Sequence, residues 1–67
     1  MIATLLAEFR AALAAHDARA REPYSGPYHF DEQNVRIGAL IGRIDMLLRL
    51  AKPVGNDKRI QLLESLA

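Results

Sequence analysis

Sixty-seven residues, half of them apolar, with nine basic and eight acidic side chains and a net charge of +1, make one folded domain rather than a disordered tail. Cysteine is absent, which excludes disulfides and thiolate metal sites. A chain this short draws only about 3–5 kcal/mol from a single core, so it needs a metal or association with another chain for further stability.

The near balance of charge implies no acidic partner. Arg36, Arg43, Asp45 and Arg49 interrupt the most apolar segment, and a membrane span needs about 20 mostly apolar residues. No basic region precedes an apolar run at the start of the chain, as a secretory signal would require. With the missing cysteine, this places the expected location in the cytoplasm.

The first predicted helix runs from Ile2 to Arg21. Ile2, Leu6, Phe9, Leu13, His16 and Ala20 form a heptad-like seam, widened by Leu5. Opposite them, Ala3, Ala7, Ala11, Ala14 and Ala18 form either a solvated face that favours helix or a close helix–helix contact. His16 is a register-setting polar group or a half-buried histidine at the end of the core. Asp17 and Arg21 have the spacing of an ion pair.

The connector, Glu22 to Phe30, holds three of the four aromatic residues: Tyr24, Tyr28 and Phe30. Pro23, Gly26 and Pro27 stop the helix. The rings either cap the open end of a helix pair or form a contact surface, since tyrosine is enriched at binding hot spots. His29 lies beside Asp31 and Glu32, but a metal site there would need further ligands.

The second predicted helix covers Glu32 to Lys52, with Asp31 as N-cap, Phe30 stapled onto Val35, and Pro53 as the stop. Ile37, Leu40, Ile41, Ile44, Leu47, Leu48 and Ala51 supply a core face. A second apolar stripe, Val35, Ala39, Gly42, Met46 and Leu50, lies on the other side. Gly38 and Gly42 sit four apart beside it, where they either admit another backbone or relieve local crowding. Arg36 and Arg43 flank the stripe as an interface rim or as solvated charges. Asp45 and Arg49 are spaced to pair.

After a turn at Pro53–Asn56, a short third helix runs from Asp57 to Leu66. Asn56 caps it, Ile60, Leu63 and Leu66 form its apolar edge, and Leu62 lies to one side. Two long segments of equal length and a short connector predict an all-α fold: an antiparallel helical hairpin plus a short third helix, forming a homodimer. Val35, Gly38, Ala39, Gly42, Met46 and Leu50 are the expected dimer interface. Tyr24, Tyr28, Phe30, Arg36 and Arg43 are the expected partner contacts.

No glycine-rich phosphate loop, nucleophile–base order or carboxylate pair is present, so the expected function is non-enzymatic, with no cofactor and no metal. The rival expectation is a helix-turn-helix DNA-binding regulator that presents Asp57, Lys58, Arg59 and Gln61. Its basic patch is small for that task.

Alanine and arginine bias suggests a GC-rich bacterial or phage genome. In length, composition and want of an enzyme motif, the chain resembles small accessory proteins of phages and prophages. Some of these bind and inhibit host proteins, including transcriptional activators of quorum sensing. The resemblance lies in general character and carries no residue across. It implies a partner protein that is held and inhibited.

Overall fold

Alanine-rich sequence with no internal glycine or proline forms the first helix, α1, Ile2–Ala20. Arg21 and Glu22 close it with backbone bonds to Ala18 and Arg19, and Pro23 prevents its continuation. The computed structural model describes all 67 residues, Met1–Ala67, and contains two further helices: α2, Asp31–Leu48, and α3, Asn56–Leu66. The fold is all-α, and no helix is long and apolar enough to cross a membrane.

The start of α2 differs from expectation. Phe30 occupies the capping position, and no side chain caps the helix. A preceding turn explains this. The Asp31 N–H bonds to the Tyr28 carbonyl, and the Asn34 N–H bonds to the Phe30 carbonyl at 2.8 Å. Asp31 and Glu32 become first-turn residues, where their charge suits the helix dipole. The expected Phe30–Val35 staple is not made, because Phe30 stacks on His16 and Val35 faces solvent.

The end of α2 also differs: it stops at Leu48, four residues before the expected Lys52. Arg49 takes the left-handed conformation (φ 53°, ψ 45°). The Leu50 N–H returns to the Asp45 carbonyl and the Arg49 N–H to the Met46 carbonyl, forming a Schellman closure. Four more helical residues would carry the chain about 6 Å past Leu48, further from Asp45. α3 could not then fold back on that residue. Ala51 consequently lies outside the helix, and exposed.

The core is built by all three helices: Leu5, Leu6, Phe9 and Ala12 from α1, Leu40 and Ile44 from α2, and Leu63 from α3. Phe9, Ile44 and Leu63 are fully buried, each stabilising the fold by about 1.5–3 kcal/mol. Ile2, Leu13, Ile37, Ile41, Leu48 and Ile60 pack around them. Ala20, at the end of the expected seam, is exposed, as is Leu66 on α3. The five alanines of the opposite face are all exposed, as a solvated face requires.

Contacts along α1 meet α2 in reverse order. His16 stacks on Phe30, Glu8 reaches Arg43 at 3.8 Å, and Met1 and Thr4 share a depression with Leu47. On α3, Arg59 pairs with Asp45 of α2 and Glu64 with Arg10 of α1. The sequence-adjacent pairs Asp17–Arg21 and Asp45–Arg49 are not formed; Arg19 pairs with Glu22 instead. Asn56 is the first residue of α3 rather than its cap, and its side-chain oxygen accepts a bond from Arg59 at 3.0 Å.

Candidate protein-binding surface

The second stripe of α2 remains uncovered. Val35 is 73% exposed and Met46 81%, while Ala39, Gly38 and Gly42 also face out and Leu50 is half-buried where the chain turns. Scattered exposed apolar residues are ordinary, but these share one side of one helix. The glycines have no internal use: a Cβ added at Gly38 or Gly42 meets nothing within 4 Å. Crowding therefore does not explain them. Each costs the helix about 1 kcal/mol relative to alanine, with no return inside the monomer.

The stripe continues into an open groove between α1 and α2, lined by Glu8, Ala11, Glu32, Val35, Arg36, Ala39, Leu40 and Arg43. A second depression, lined by Met1, Thr4, Leu5, Glu8, Arg43 and Leu47, follows it. The Glu8–Arg43 pair stands where the two meet. The structure thus brings Arg36 and Arg43 together with Val35 and Ala39. Glu8 carried no signal in the sequence, since its partner lies on another helix.

The connector aromatics form a second feature, organised by His29. This residue is 4% exposed, and its Nε2 lies 2.8 Å from the Arg19 carbonyl. A carbonyl only accepts, so Nε2 carries the proton and Nδ1 accepts from the Ser25 hydroxyl at 3.0 Å and the Ser25 N–H at 3.2 Å. The Arg19 Nε–H in turn donates to the His29 carbonyl at 2.9 Å. Both ring nitrogens are thus engaged within the chain.

Phe30 stacks on His16 with centroids 4.8 Å apart, and meets the His29 ring edge-on at the same separation. Its place is inside this cluster, as support. Tyr24 tilts against His29 and still leaves 73% of its surface exposed; Tyr28 leaves 79%. Both readings of the connector meet here: Phe30 and His29 close the helix pair, while the two tyrosines face outward.

No protein-family model matches this chain, and no curated protein or solved structure is similar to it.

On α3, Arg59 is buried at 6% exposure and forks onto Asp45. One of the four residues expected on a DNA-reading helix is thus committed to the fold, because its guanidinium satisfies a carboxylate on α2. Asp57, Lys58 and Gln61 are exposed.

Proposed function

We propose that this chain is a small non-enzymatic protein-binding module: an antiparallel helical hairpin with a third helix laid across it. It pairs with a second copy through the outer face of α2, and binds and inhibits a partner protein such as a transcriptional regulator. The observation that carries the reading is the exposure of Val35 and Met46 beside two glycines whose cost brings no gain within the monomer. A core of only seven buried apolar residues makes association a natural source of further stability.

Tyr24 and Tyr28 are the contacts for the partner. They are large, amphipathic and outward-facing, on a connector tied down by His29, so little conformational entropy is lost when they bind. Phe30 acts from behind them. Arg36 and Arg43 border the α2 face, with Glu8 and Glu32 close by, and belong to the rim of the dimer.

The test is co-purification from host lysate with the wild-type chain and with Tyr24→Ala/Tyr28→Ala, beside light scattering of each. The expected result is one enriched protein that the double variant loses while keeping its mass and helicity. Equal recovery by both would overturn the role of the tyrosines, and a monomeric wild type would overturn the dimer.

A further inference from the structure

Gly38 and Gly42 lie equally far from Leu40 along α2. Asp31, the first residue of α2, and Arg49, the left-handed residue that closes it, are also equidistant from Leu40, and at about five turns apart their Cα atoms lie along one flank. Both are exposed, and neither joins an ion pair within the chain. A helix whose glycines and end charges are balanced about one point is complementary to itself under a two-fold axis.

The geometry points to a second copy of this chain as the occupant of the outer face, with the two α2 helices antiparallel and crossing at the level of Leu40, where the outer face presents Gly38 and Gly42. This deepens, and rests on, the dimer proposed above. In that register Gly38 of each copy falls opposite Gly42 of the other, and the missing Cβ atoms let the backbones approach. Val35 of each falls near Met46 of the other, which removes the most exposed large apolar side chains of α2 from water. Asp31 of each meets Arg49 of the other, so the pair forms twice.

Charge complementarity selects the antiparallel arrangement. A parallel pair would set Asp31 against Asp31 and Arg49 against Arg49. The opposite flank carries Glu8, Glu32, Arg36 and Arg43, which balance in charge and tolerate the same approach. Two-fold symmetry places like flanks together, so one pairing satisfies both copies at once.

The experiment is sedimentation equilibrium of the full chain and of Asp31→Arg, Arg49→Asp and the double variant. Helicity is checked by circular dichroism. Each single reversal is expected to weaken the dimer roughly tenfold, and the double reversal to restore it. A double variant as weak as the singles overturns the crossing. Met46→Asp separates the two levels of the claim: if it yields a monomer while the reversals have no effect, the face is right and the register wrong. A wild type that stays monomeric sinks both.

Should a reversal unfold the chain, Val35→Cys and Met46→Cys chains can be mixed and oxidised, which leaves the glycines in place; the sequence has no other cysteine. The mixed disulfide is expected to dominate over either self-pair. Statistical mixing of the three products would overturn the register.

Discussion

Arg59 on α3 grips Asp45 on α2 with a fork, Nε to Oδ1 at 2.7 Å and Nη2 to Oδ2 at 2.9 Å, while Nη1 reaches Asn56 at 3.0 Å. Bidentate pairs of this kind are the strong ones, and this one fixes how α3 docks. Arg59→Met keeps the apolar stem and removes the fork, leaving Asp45 without its partner. Thermal unfolding should show a Tm lower by roughly 5–10 °C. An unchanged Tm would mean that Leu63, Ile60 and the Arg10–Glu64 pair suffice to dock the helix.

The same pair makes stability sensitive to acid. Hydrogen bonds from Arg59 hold the Asp45 carboxyl below its ordinary value of 3.8; partial burial opposes this and the guanidinium charge assists it. The unfolded chain therefore takes up the proton more readily than the folded one. The stabilisation is complete above the ordinary value and is lost as pH falls through the lowered one. Urea midpoints at pH 7 and pH 3 should show the wild-type advantage over Asp45→Asn shrinking in acid. A constant advantage would contradict the linkage.

Arg49 is the one non-glycine residue with positive φ. A side chain with a Cβ is strained there, whereas glycine is the usual occupant of this closing position. Arg49→Gly should stabilise the monomer by about 0.5–1 kcal/mol, read as a higher urea midpoint at unchanged slope. The same change removes the charge proposed to meet Asp31 of the second copy. Measurement well below the dimer dissociation constant isolates the effect.

His29 joins α1 to the connector through its ring and its carbonyl. His29→Ala leaves the Ser25 N–H and the Arg19 carbonyl without these partners and removes the edge against which Phe30 packs. A loss of about 2 kcal/mol is expected from equilibrium unfolding. Ser25→Ala should cost less, because the Ser25 N–H still reaches Nδ1. Equal losses would place the effect in the hydroxyl rather than the ring.

The three helices and both faces of α2 were legible in the sequence. Their signals are local: Leu40 and Ile44 and the Val35–Met46 stripe repeat at helical period, and Pro23, Gly26 and Pro27 break the helix between. Leu6, Phe9 and Leu63 were readable as core for the same reason. The two tyrosines could be named, but not which aromatic would face outward, because that depends on His16 offering Phe30 a ring to stack on.

The end of α2 was not legible. Arginine bears no mark of a left-handed closing residue, and Pro53 supplied a plausible later stop. Only the docking of α3 decides it, since Arg59 must reach Asp45. For the same reason the sequence sets Asp45 beside Arg49, one turn away, and gives Arg59 a role only in the rival DNA-binding reading. Periodicity determined by itself which residues form helices and which faces are apolar. Tertiary structure alone decided the pairing of charges and rings, because those partners lie far apart in sequence and meet only when the helices pack.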